Sequence, residues 1–121
     1  MRRDQKARQL ERLERMAALR VFAMKKQIDR ARQAESDLHG LLGSLEARRA
    51  LALRARGRSD AADAQAQATY LKWVVGERRR LLTAQAAARA QTQTLQAESR
   101  QETARHAILC ALLQKSKKPR Y

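Results

Sequence analysis

The sequence predicts an all-α fold, a long two-helix antiparallel coiled-coil hairpin, and three observations lead there. Ala, Leu, Arg, Gln, Glu and Lys, all strong helix formers, dominate the chain. Apolar residues recur at alternating steps of three and four over two long stretches. A single cluster of turn residues, "RARGRSDAADAQ", separates those stretches near the middle of the 121 residues. Only 3% of the chain is aromatic and alanine supplies much of the 44% hydrophobic fraction. Large side chains are therefore too scarce for a compact globule, whereas a narrow helical seam needs far less apolar volume. The length suits one domain over residues 1–121.

Helix one is expected over about 4–56. Its seam reads Leu10, Ala17, Val21, Met24, Ile28, Ala31, Leu38, Leu42, Leu45 and Ala52, with Glu14, Glu35 and Arg49 as polar defects. Ala52 is a weak last member, and a small rotation would let Leu51 or Leu53 take over its contact. Gly40 and Gly43 weaken the helix by about 1 kcal/mol each relative to Ala and permit a local bend. The hydrophobic register continues through them.

The turn is expected at about 57–60. Gly57 suits a left-handed C-cap, Ser59 or Asp60 an N-cap, and Asp63 places negative charge in the next first turn. Helix two then spans about 60–113. Its seam is Leu71, Val74, Arg78, Leu81, Gln85, Ala88, Thr92, Leu95, Ser99, Glu102, His106, Leu109 and Leu113. A frayed basic tail, 114–121, follows. Two such helices fold back on each other as a hairpin. Gln85, Thr92, Ser99 and Glu102 thin the apolar seam, so marginal stability or partner-dependent order is expected. The pattern fits a single hairpin and a dimer of hairpins equally.

No catalytic constellation is visible, and the chain reads as a non-enzyme without cofactor or metal. Pairing across a turn near Arg58 matches residues whose numbers add to roughly 117, which sets His39 opposite Arg78 and His106 opposite Glu11. The two histidines then lie far apart, and no acidic cluster or glycine-rich phosphate loop accompanies them. The lone Cys110, in "HAILCALL", offers no disulfide framework and no Cys–His metal spacing, and reads as a small buried hydrophobe. No secretory h-region and no membrane-length apolar run is present, so a cytoplasmic protein without a transmembrane segment is expected.

The 27 basic and 12 acidic residues give a formal charge of +15. Residues 1–56 hold 15 basic and 7 acidic side chains, and 57–121 hold 12 and 5, so the charge covers both arms. Nucleic acid, an anionic membrane surface and an acidic protein are the possible partner classes. No DNA-reading module is present, the aromatic content is too low for a stacking platform, and pairing already uses the apolar stripe. An acidic protein is favoured, and nucleic acid is less so.

The stretch "TYLKWVVGERRRLL" concentrates the only Trp, one of the two Tyr residues and the densest arginine run. Leu71 and Val74 belong to the seam, Tyr70 lies beside it, and Trp73 and Val75 sit on its shoulders, partly exposed. Trp73 reads either as an interface anchor or as a packing residue. Arg78, Arg79 and Arg80 either widen that contact toward an acidic surface or simply solvate the helix. In architecture, and in Tyr70, Trp73, Leu81 and Gln85 early in helix two, the chain resembles the FliJ-like central stalk proteins of type III secretion and flagellar export systems. Glu77 stands where that pattern has an apolar residue, and Arg78, Arg79 and Arg80 replace a milder stretch, which favours an injectisome-type or divergent member.

That resemblance implies a non-enzymatic stalk linking an export ATPase ring to the cytosolic ring of the export gate, peripheral to the inner-membrane apparatus. Some members also bind export chaperones. It implies an ATPase-facing end that includes Arg2, Arg3, Lys6, Arg105, Lys115, Lys117 and Lys118. The gate-facing set is Tyr70, Leu71, Trp73, Val74, Arg78, Arg79 and Arg80. The competing readings are a small basic helical nucleic-acid-binding protein and a generic coiled-coil adaptor.

Overall fold

The computed structural model describes residues 2–55 and 61–117. Two helices account for all of them, α1 (Arg2–Ala55) and α2 (Ala61–Lys117). The expected turn, with Gly57, Ser59 and Asp60, lies outside the described residues, as does the tail from Lys118. Asp4 and Asp63 place negative charge in the two first turns, as the helix dipole favours. α2 runs past its expected end at Leu113 to Lys117, with Lys115 and Lys117 complementing the carbonyls of its last turn. No helix among the described residues is long and apolar enough to cross a membrane.

The helices pack antiparallel, since Glu14 meets His106, Glu35 meets Arg89 and Glu46 meets Arg78. Contacts divide the chain into two units. One joins Met1–Arg30 with Thr92–Tyr121, and the other is Ala31–Gln91. In the second unit, Leu45, Val74 and Leu81 form a buried cluster with Leu38, Leu42 and Tyr70 packed against it. Val74 is 1% exposed, the most completely buried side chain of the molecule as described. In the first unit, Ala17, Ile28, Thr92 and Leu113 are buried. Leu10, Val21, Met24, Leu95 and Leu109 are half-buried around them.

The three-four spacing thus selects the inward stripe of both helices. Two of its members leave it. Arg49 and Arg78 occupy seam positions yet are exposed, and both guanidinium groups reach the carboxylate of Glu46. Their aliphatic stems can stay at the seam margin while the charge goes to water, which avoids the cost of burying it. The rotation that would swap Ala52 for a leucine does not occur. Leu51 and Leu53 are 64% and 43% exposed, and Ala52 remains half-buried.

The expected cross-helix pairing needs correction. Arg78 reaches Glu46 and His106 reaches Glu14, where His39 and Glu11 were expected. Side chains on a helix lean toward its N-terminus. On α1 that direction points away from the turn, and on α2 toward it. That lean gives the direction of the shift, but only about one position per helix. The pair numbers add to 120 for Glu14–His106 and 124 for Glu46–Arg78, and the register of the two helices sets the rest. His39 itself is exposed.

Gly40 and Gly43 do not interrupt α1, no described residue has positive φ, and a Cβ at either glycine would meet nothing within 4 Å. Neither close packing nor left-handed backbone requires glycine at these positions. Gly40→Ala and Gly43→Ala should each stabilise the fold by about 0.5–1 kcal/mol, read from urea midpoints. Leu81→Ala should cost about 2–4 kcal/mol in the same assay, while Leu51→Ala stays within about 0.5 kcal/mol. Equal losses for the two leucines would place the seam on the wrong stripe.

Candidate functional site

The aromatic stretch lies on α2 within the Ala31–Gln91 unit. Tyr70 and Trp73 are three residues apart, so their side chains lie on adjacent parts of the helix surface. Their ring centroids are 5.9 Å apart with an interplanar angle of 28°. Tyr70 is half-buried against the Leu45–Val74–Leu81 cluster, and Trp73 is 50% exposed. The tyrosine thus backs the indole with core packing while leaving much of the indole in water. Leu71 is half-buried and Val74 buried, so both contribute to the seam and Val74 offers no surface to a partner.

Residues of α1 extend this surface in a way the sequence did not reveal. Leu41, Ser44 and Arg48 line a shallow groove with Trp73, Glu77 and Arg80. Leu41 is 55% exposed. A Cβ at Gly76 would meet nothing within 4 Å. Because a helical side chain covers the turn preceding it, glycine at 76 leaves the neighbourhood of Trp73 uncovered. Leu41 falls off the apolar stripe, and only cross-helix packing brings it beside the indole.

The three arginines behave differently from one another. Arg78 Nε donates to Glu46 Oε1 at 2.6 Å. Arg80 donates through Nε and Nη2 to the Glu77 carboxylate, with the shortest contact 2.9 Å. That hydrogen bond, reinforced by the charge of Arg80, holds Glu77 below its ordinary pKa and raises that of Arg80. Arg79 is exposed and makes no side-chain ion pair among the described residues. Exposed pairs of this kind contribute little to stability, although they orient the guanidinium groups.

The proposed ATPase-facing residues belong to the other unit. Arg2, Arg3, Lys6, Lys115 and Lys117 are exposed, and Lys118 lies outside the described residues. Arg105 is exposed and donates to Glu102 at 3.2 Å. Large apolar side chains share this unit's surface: Met16, Leu19 and Phe22 on α1 are 45%, 68% and 57% exposed, and Ile108 on α2 is 60% exposed. Lys26 Nζ stands 4.7 Å from the Phe22 ring centroid, a cation–π distance.

A third grouping departs from the expected absence of Cys–His geometry. His106 Nε2 lies 2.8 Å from Glu14 Oε1 and 3.5 Å from Cys110 Sγ, and the thiol lies 4.0 Å from the same carboxylate oxygen. All three residues are half-buried. His106 and Cys110 share a helix face through their four-residue spacing, and Glu14 enters from α1 at a polar seam position. The spacing was visible in the sequence. The shifted cross-helix register concealed the third member.

No protein-family model, curated protein or solved structure matches the chain.

Since Trp73 is half in water and Val74 fully packed, Trp73→Ala should retain helicity and lose only about 1 kcal/mol of stability, roughly one ring–ring contact. A loss as large as that of Leu81→Ala, measured by urea unfolding with circular dichroism, would make Trp73 a core residue.

Proposed function

We propose that this chain is a non-enzymatic helical stalk that docks protein partners, of the kind that links an export ATPase ring to a secretion gate. The single observation carrying this reading is the half-exposed Trp73, backed by Tyr70 and bordered by Leu41 and Arg80. An indole held in place by packing yet open to solvent has the character of an interface hot spot. Arginines around it suit a partner surface with an apolar centre and an acidic rim. Chaperones of exported proteins are further candidate partners, and the site would lie on the cytoplasmic face of the inner-membrane apparatus.

The terminal unit supports a second docking region for the ATPase. Arg2 and Arg3 lie in the first turn of α1, where a cation opposes the helix dipole at a cost of about 0.3–1 kcal/mol. Helix stability gives no reason for them there, and an anionic partner does. Leu19, Phe22 and Ile108 add exposed apolar area that phosphate binding does not require. This mixture favours a protein surface over nucleic acid.

The test is paired titration of the full chain against a purified export ATPase and the cytosolic domain of the gate. Trp73→Ala should weaken gate binding by about 30-fold, equivalent to roughly 2 kcal/mol, and leave ATPase affinity within about twofold. Reversing the charges of Arg2, Arg3, Lys6, Lys115 and Lys117 together should do the opposite and flatten the salt dependence of ATPase binding. Unchanged gate affinity in a folded Trp73→Ala protein would remove the anchor. Tight duplex binding with a steep salt slope, and no affinity for either protein, would replace the stalk with a nucleic-acid binder.

A further inference from the structure

The geometry points to a binding site for one thiophilic divalent cation of the zinc class, held by Glu14 Oε1, His106 Nε2 and Cys110 Sγ. These atoms come from two helices and from three chemically different ligands, and all lie within 4.8 Å of one another. A tetrahedral zinc ion has bonds of about 2.0–2.1 Å to imidazole nitrogen, 2.0–2.2 Å to carboxylate oxygen and 2.3 Å to thiolate sulfur. Those lengths place nitrogen and oxygen about 3.3 Å apart, and sulfur about 3.5–3.6 Å from either. The observed separations are 2.8 Å for nitrogen to oxygen, 3.5 Å for sulfur to nitrogen and 4.0 Å for sulfur to oxygen. Each edge therefore needs to move by about half an ångström or less, within rotamer adjustment of half-buried side chains.

The composition of the group also distinguishes a ligand set from an ordinary seam contact. A glutamate and a histidine suffice for a cross-helix hydrogen bond. A thiol placed beside both adds little to that bond, being a weak donor at long range. It adds a great deal to a zinc-class site, because sulfur and imidazole ligands select such ions over magnesium or calcium. On binding, the thiol loses its proton to solvent and the histidine coordinates in its neutral form. Three protein ligands leave a fourth position for water.

The consequence is structural. Glu14 belongs to α1, whereas His106 and Cys110 belong to α2, so the ion ties the two helices of the terminal unit together. Ser99 and Glu102 occupy seam positions between Leu95 and Leu109, and one buried oxygen of Glu102 has no hydrogen-bond partner. A cation cross-link strengthens pairing next to this polar stretch of the seam. Because the ligands converge only in the folded hairpin, ion binding adds directly to folding stability.

Cobalt(II) titration of the full reduced chain tests this. One ion per chain should bind with a near-ultraviolet thiolate charge-transfer band and visible bands of tetrahedral intensity, and zinc should displace it. Cys110→Ser should abolish the charge-transfer band and weaken zinc at least 10-fold, measured against a chromophoric chelator. Glu14→Gln should retain that band and weaken zinc by a similar factor. Zinc at a hundredfold excess over its Kd should raise the thermal midpoint of the native chain by roughly 10 °C, and that of Cys110→Ser by much less. Circular dichroism establishes that both variants are helical. A native chain without a charge-transfer band, or a zinc-induced midpoint shift equal in the native and Cys110→Ser proteins, would overturn the site and leave a Glu14–His106 hydrogen bond.

Discussion

The narrowness of the apolar seam governs the rest of this molecule. Its buried apolar side chains are Ala17, Ile28, Leu45, Val74, Leu81 and Leu113, small or medium residues spread along two long helices. Among the described residues there is no second layer in which a polar side chain could be hidden or an unfavourable one compensated. Most polar residues on the seam therefore meet their requirement locally, one oxygen of Glu102 being the exception. Arg49 and Arg78 move their charges outward onto Glu46, while Glu14 and His106 hydrogen-bond across the seam. The buried Thr92 is partnered as well. A slip of register would break these pairings together with the apolar contacts. Polar seam residues are thus a source of pairing specificity as well as a loss of burial.

The same thin seam explains why so much apolar surface faces solvent. Two helices bury one stripe each, and any large side chain off that stripe has nowhere else to pack. Leu19, Phe22, Trp73 and Ile108 are exposed for this reason. Scattered exposed apolar residues are ordinary on protein surfaces, but Trp73 differs from a scattered leucine. The Tyr70 ring supports it, Gly76 leaves the following turn open, and Leu41 stands across the groove from it. A side chain backed on one side in this way would lose less freedom if it were used in binding.

Charge has an equally uneven role. Glu77 and Arg80 satisfy each other within one turn, and Glu46 gathers guanidinium groups from both helices. Arg79 projects without an ion pair among the described residues. The arginine run is therefore not a uniform basic patch, and its members should contribute unequally to any contact with an acidic surface. At the terminal unit, cations in the last turn of α2 agree with the helix dipole, whereas Arg2 and Arg3 at the start of α1 oppose it. Lys115 and Lys117 have a local structural explanation that the first two lack.

The sequence by itself determined the helix pair and its inward stripe. Local propensity and three-four periodicity need no tertiary information, and Val74, Leu81, Ile28 and Leu45 follow from spacing alone. It also singled out Trp73 as a shoulder residue, because helix geometry fixes the angle between positions 73 and 74. Tertiary structure decided what meets what across the seam. Periodicity specifies a direction around each helix, but says little about displacement along it. The register of the two helices, with a smaller contribution from the lean of side chains toward their own N-termini, shifts contacts away from a backbone count. That displacement brought Glu14, rather than Glu11, to His106 and completed a group with Cys110. Packing likewise set Leu41 and Arg48 beside Trp73, since a groove between helices belongs to neither sequence alone.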